Sequence, residues 1–152
     1  MSFEVRMKEL GLELPAAPKP VATYVPAVRT GDLLFVSGVL PMQQGQLAWS
    51  GKLGRELRVE QGVEASRTAL LNALAIVKQE IGTLDRIVRI VKVVGHVASA
   101  EGFTDQPQVL NGASDLLVSI FGDTGRHARV AVGAAELPRG AAVEIELILQ
   151  VA

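Results

Sequence analysis

Every second residue from Val143 to Val151 is a large aliphatic: Val143, Ile145, Leu147, Leu149 and Val151 share one side, Glu144, Glu146, Ile148 and Gln150 the other. Side chains alternate across an extended chain, so this run predicts a strand with one face in the core. The stretch before it, from Gly125 through Leu137-Pro138-Arg139-Gly140, predicts a partner strand and a tight turn. On that strand Arg129 falls in line with Ala131, Gly133 and Ala135, so a guanidinium stands over small side chains, as in the floor of a pocket. A simple hairpin turning at Arg139-Gly140 would pair Arg129 near Gln150 and leave Glu144 six pairs away. At ~3.3 Å per residue that is roughly 20 Å. The two then reach one small ligand only if the strands are not a simple hairpin or a second copy contributes. Without a ligand, Arg129 is an edge-strand charge facing water and Glu144 a solvated carboxylate; the residues alone leave both readings open.

A chain of 152 residues fits one domain, 1–152, with room for a proper core. Its hydrophobic content of 49%, with 20% charged residues, exceeds what one copy of this size buries comfortably, which points to an oligomer. The net charge of -1 and the scattered Lys and Arg argue against nucleic acid as the main partner. Lack of cysteine excludes disulfides, thiolate zinc sites and cysteine nucleophiles, and two distant histidines without carboxylates at ligand spacing leave no metal site. Residues 1–10 carry Glu4, Arg6, Lys8 and Glu9 and no signal-peptide apolar core. With no uncharged run of about 18 apolar residues, the expectation is a soluble cytoplasmic protein that does not engage membranes.

Taken in order, Ser2 to Leu10 predicts a short helix ended by Gly11, and Pro15, Pro18 and Pro20 an extended tether, so residues 1–20 form an N-terminal helix and Pro-rich extension. Ala22–Val28 and Leu33–Ser37 predict a hairpin around Arg29-Thr30-Gly31-Asp32, followed by Gly38 and Pro41. Gln46 to Trp49 predicts a short strand with Trp49 as rim packing, and Gly51-Lys52-Leu53 lacks the phosphate-loop signature. Val59–Ile81 reads as the longest helix, with Val63, Leu70, Leu74 and Val77 on its stripe and Gly82 as its stop. Ile87–Ala98 reads as a central strand in which His96 is structural, and Thr104-Asp105-Gln106-Pro107 opens a second long helix closed by Gly122. The resulting fold class is α+β: one mixed sheet with two helices packed on one face. Its other face stays bare unless copies pack sheet to sheet.

Two segments carry a family resemblance. Tyr24-Val25-Pro26-Ala27-Val28 through Gly31 to Phe35-Val36-Ser37-Gly38-Val39-Leu40-Pro41, and Arg129 through Leu137-Pro138 to Val143-Glu144-Ile145-Glu146, resemble the signature segments of the RidA/YjgF family. The N-terminal extension, Asn111 to Leu117 and Gly125-Arg126-His127-Ala128-Arg129 are similar to its branch labelled YjgF-type or L-PSP endoribonucleases. The resemblance implies a chorismate mutase-like sandwich, a homotrimer with clefts between subunits, and hydrolysis of reactive 2-imino or enamine acids to 2-oxo acids and ammonia without a cofactor.

Carried over by position, Arg129 would hold a substrate carboxylate in a bidentate fork and Glu144 would orient or deprotonate the attacking water. Tyr24 of a neighbouring subunit would close the cleft beside Ser37, and the Gly38 backbone would approach the substrate where a side chain would not fit. Asn111 resembles a family asparagine across a one-residue insertion. Ala131 stands where many deaminating members carry cysteine, and Val39 replaces a common glutamine; both bear on substrate shape rather than on the fork or the base. His127 shares Arg129's face as a further acid or base, or as a cap. Two other functions compete: an endoribonuclease in which Arg126, His127 and Arg129 contact phosphate, and a non-catalytic module binding small carboxylates.

Overall fold

The computed structural model describes residues 2–20 and 22–152, so Met1 of the expected extension lies outside them. The expected first helix is α1, Phe3–Glu9, started by the Ser2 hydroxyl, which accepts from the Val5 amide. Asp85 anchors this end, accepting from the Ser2 hydroxyl at 2.7 Å and the Phe3 amide at 2.6 Å. Glu4 reaches the same corner, where it takes hydrogen bonds from Lys78, Thr83 and the Leu84 amide.

Beyond the tether come β1 (Ala27–Thr30), β2 (Leu33–Val39), a ribbon of β3 (Met42–Gln43) with β4 (Gln46–Leu47), and α2 (Val59–Ile81). Then follow β5 (Ile87–Ala98), α3 (Gln106–Phe121), β6 (Ala128–Ala134) and β7 (Val143–Val151). The expected β1–β2 hairpin forms, but its first strand is Ala27–Thr30 rather than Ala22–Val28: Pro26 has no amide to donate at its start, and Arg29 and Thr30 of the expected turn pair with Leu34 and Leu33, leaving Gly31-Asp32 as the turn. The five-stranded sheet runs β1-β2-β7-β5-β6, antiparallel except for the parallel pair β5–β6, which makes it mixed.

This order corrects the expected hairpin of β6 with β7: β5 lies between them, pairing His96 with Glu144 on one side and with Val132 on the other. The reason lies in the connections. Helix α3 carries the chain back to the starting end of β5, which makes β6 parallel to it, as a helical crossover does. The turn that follows contains a 3-10 segment at Pro138–Gly140 with Arg139 and Gly140 at positive φ. It steps over the end of β5 rather than folding back as a two-residue hairpin loop.

Helices α2 and α3 cover one face of the sheet, where Leu34, Ile90, Val93, Ile145, Leu147 and Leu149 are fully or almost fully buried. Of the expected stripe of α2, Leu70, Leu74 and Val77 are fully buried, and Ala65, Ala69 and Ala73 join them, while Val63 is only half-buried. Small side chains there let α3 come close, and the Ser66 hydroxyl donates to the Val109 carbonyl across the gap at 2.7 Å. The third helix, α1, docks beside α3 through Phe3 and Phe121, whose rings meet edge to face at 4.8 Å. The opposite face of the sheet leaves Val28, Phe35, Val130 and Val132 between 39% and 52% exposed.

Candidate functional site

The residues singled out from the sequence fall into two groups on opposite faces of the sheet. Tyr24, Ser37, Gly38 and Glu144 line one cavity of about 700 Å³, walled also by Pro15, Pro18 and Lys19 of the tether, by Arg139 and by Asn72 of α2. Ser37 donates to the Val25 carbonyl at 2.7 Å, and its amide donates to Pro26, so it fastens the Tyr24 segment against β2. Asn72, nearly fully buried, donates to the Leu40 and Met42 carbonyls and fixes the chain leaving β2.

A register shift between Val36 and Val39 kinks β2 at Gly38 and brings its backbone onto the Glu144 side chain. A Cβ built on Gly38 would sit 2.8 Å from Glu144 Oε1. Glu144 is half-buried, and burial pushes its pKa above the ordinary carboxylate value. The nearby His96 opposes that rise and the Glu146 carboxylate adds to it. His96 Nε2 lies 2.8 Å from Glu146 Oε2, so the histidine read as structural joins two carboxylates on the uncovered face.

The second group gathers at α3. Arg129 Nη1 donates to Asn111 Oδ1 at 2.8 Å and to Ser114 Oγ at 3.1 Å. His127 places Nε2 at 2.9 Å from Ser114 Oγ and Nδ1 at 2.6 Å from the Gly125 carbonyl oxygen, so both ring nitrogens are occupied. Ala131 is half-buried one step further along β6, against the core. The register puts Arg129 level with Val93 and Glu144 level with His96, on strands either side of β5. That separation is roughly 14 Å between backbones, with the side chains on opposite faces, so one chain does not bring the two groups to one small ligand.

Ser114, His96 and Glu146 are the members that sequence reasoning passed over. Ser114 carried a signal, since it lies three residues from Asn111 and therefore on the same helical face. His96 and Glu146 carried none, because their meeting depends on the pairing of β5 with β7.

The model of the YjgF/chorismate mutase-like, putative endoribonuclease family matches residues 4–149. The chain belongs to this family. Protein TCP17 of Trypanosoma cruzi is a family relative at 44% identity over 145 residues, 95% of this chain and 91% of its own. The crystal structure of Atu1372 from Agrobacterium tumefaciens, a protein of unknown function, superposes with a TM-score of 0.90 at 44% identity. The match covers 99% of this chain and 92% of that one. The 2-iminobutanoate/2-iminopropanoate deaminase of Dermatophagoides farinae is 26% identical over 143 residues, 91% of this chain and 93% of its own. In this YjgF-type chain the two segments of resemblance lie on the β1–β2 hairpin with its approach and on β6 with the start of β7.

Proposed function

We propose that the protein is a hydrolytic deaminase of reactive 2-imino and enamine acids, working without a cofactor in clefts between the copies of a homotrimer. The observation that carries this reading is the state of Arg129. Its Nη1 is held by two neutral side chains, while its Nε–Nη2 edge has no partner among the described residues. A half-buried guanidinium with a free planar edge matches a carboxylate in two parallel hydrogen bonds.

In this reading Glu144 is the base. It takes a proton from water as the oxygen adds to the imine carbon and passes it to the nitrogen, giving the carbinolamine; the new hydroxyl then gives its proton through Glu144 to the same nitrogen as the carbon–nitrogen bond breaks and the carbonyl forms. Ammonia leaves and the 2-oxo acid remains. The elevated pKa of Glu144 suits a group that must both accept and return that proton. Assembly is supported by the separation of Arg129 from Glu144 and by the exposed Val28, Phe35, Val130 and Val132. Tyr24, Ser37 and Gly38 share Glu144's cavity, so they would face the Arg129 group of a neighbouring copy. The name of the Dermatophagoides farinae relative adds support for the chemistry.

The test is ammonia and 2-oxo acid release from freshly generated 2-iminopropanoate and 2-iminobutanoate, read over the uncatalysed rate. Acceleration by wild type, lost in Arg129→Ala and in Glu144→Ala, is expected. Carboxylate binding without acceleration would replace the enzyme by a binding module.

A further inference from the structure

The hydrogen bonds behind Arg129 form a chain in which every link has one possible direction. A carbonyl oxygen only accepts, so the Gly125 carbonyl at 2.6 Å requires the proton of neutral His127 to sit on Nδ1. The lone pair is then on Nε2, and Ser114 Oγ at 2.9 Å must donate to it. With its hydrogen committed, Ser114 turns its lone pairs to Arg129 Nη1, which only donates. Asn111 Oδ1 accepts the second Nη1 hydrogen.

The far end of the chain is also fixed. Gly125 is buried against α3 so closely that a Cβ would lie 2.4 Å from the Leu117 carbonyl oxygen, which holds the carbonyl that sets the tautomer. Other charged side chains on the surrounding elements are Arg126, paired with Asp123, then Asp115 on α3, and Arg89 and Lys92 on β5. Among the described residues none of these bonds to His127, Ser114 or the Arg129 guanidinium.

We propose that Ser114 and His127 are positioning residues that aim the Arg129 fork: together they consume one Nη1 hydrogen and leave the Nε–Nη2 edge turned outward. This assignment rests on the carboxylate-binding reading of Arg129.

The experiment uses 2-oxobutanoate, a stable carboxylate, as the probe, so that binding is read independently of turnover. Ser114→Ala and His127→Phe should each weaken its affinity about five- to tenfold, the net worth of one ordinary hydrogen bond. Their double variant should lose no more than either single one, because the two act as one chain. His127→Gln, whose side-chain oxygen can accept from Ser114, should recover part of the loss. In turnover the loss should fall on KM and leave kcat in place, as expected for uniform binding. Imidazole nitrogen-15 spectra of the wild type should show the neutral His127 ring as the Nδ1–H tautomer. The Nε2–H tautomer, wild-type affinity in both single variants, or additive losses in the double variant would each overturn the assignment. If wild type binds 2-oxobutanoate but hydrolyses no imine, the deaminase reading fails while the binding cycle still decides the relay. If wild type binds no carboxylate at all, the relay has nothing to aim and falls with it.

Discussion

Gly38 and Glu144 touch: the backbone of one occupies the space in which the carboxylate of the other rests, with 2.8 Å between Oε1 and the position of an added Cβ. The neighbour that must give way is the end of a flexible side chain, so Gly38→Ala should fold with little change in Tm. Its carboxylate, however, is pushed off its position. Imine hydrolysis should fall roughly 10²-fold, the usual consequence of a misplaced catalytic group. The pairing of an unchanged melting curve with lost kcat is the check, and wild-type kcat in Gly38→Ala would remove Glu144 as the base.

The acid limb of the rate profile should report Glu144. A base must be ionised, so activity should rise with pH through a value above that of an ordinary carboxylate, because burial raises it. His96 opposes the rise and Glu146 reinforces it. His96→Phe should therefore move the limb to higher pH, and Glu146→Gln should move it to lower pH. Stability should run the other way. A raised carboxyl favours the fold while protonated, a contribution present below its unfolded pKa and lost as pH climbs through the folded one. Glu144→Gln should accordingly raise Tm modestly at neutral pH while abolishing turnover, as thermal melts at pH 4 and 7 would show.

Mixing two dead variants tests whether the site is shared. Arg129→Ala and Glu144→Ala are each expected to be inactive alone. A cleft that draws Arg129 from one copy and Glu144 from the next regains both residues in mixed assemblies. After co-refolding equal amounts, about a quarter of the clefts should work, from random placement of the two chains. No recovery, with mixed assemblies verified by mass spectrometry, would place the chemistry within one chain.

Acid should release α1 before it melts the core. The Ser2 hydroxyl holds the pKa of Asp85 down, and the Phe3 and Glu4 amides add to this against the opposing effect of burial. Burial acts to raise Glu4, but hydrogen bonds from Lys78, Thr83 and the Leu84 amide outweigh it and leave its pKa lowered. Lowered carboxyls contribute stability above their unfolded pKa, about 4, which is lost as pH falls through the folded values. Hydrogen exchange of the α1 amides should therefore quicken below pH 4 while β5 stays protected. Asp85→Asn should reproduce that release at neutral pH and cost a few degrees of Tm.

Much of this fold is legible locally. Helix α2 and strand β5 fall on the expected residues, Val59–Ile81 and Ile87–Ala98, because a helical apolar stripe stopped by Gly82 defines the first and a dense run of Ile and Val the second without outside help. Pairing is another matter. The alternation of Val143 to Val151 announces a strand but is silent on its neighbours. The return path of α3, rather than the Leu137–Gly140 turn, decides that β5 separates β6 from β7. The candidate site divides in the same way. Arg129 is legible both in its alternation with small residues and in the family resemblance, Asn111 in the resemblance alone, and their contact follows from β6 lying under α3. Ser114 was overlooked because a serine inside a helix ordinarily satisfies itself on the preceding turn. The diagonal contact of His96 with Glu146 exists only once the register of β5 on β7 is known.

Strand β6 hangs from the sheet by a single ladder, its outer edge unpaired among the described residues and its side chains mostly small. An edge strand of this kind is a seam along which a sheet opens locally. The guanidinium rides on that seam, tethered to α3 by Asn111 and Ser114. In a denaturant titration, grip on a carboxylate should therefore be surrendered ahead of the core, and a bound acid anion should act as a rivet, closing this edge strand of the sheet onto the helix above it.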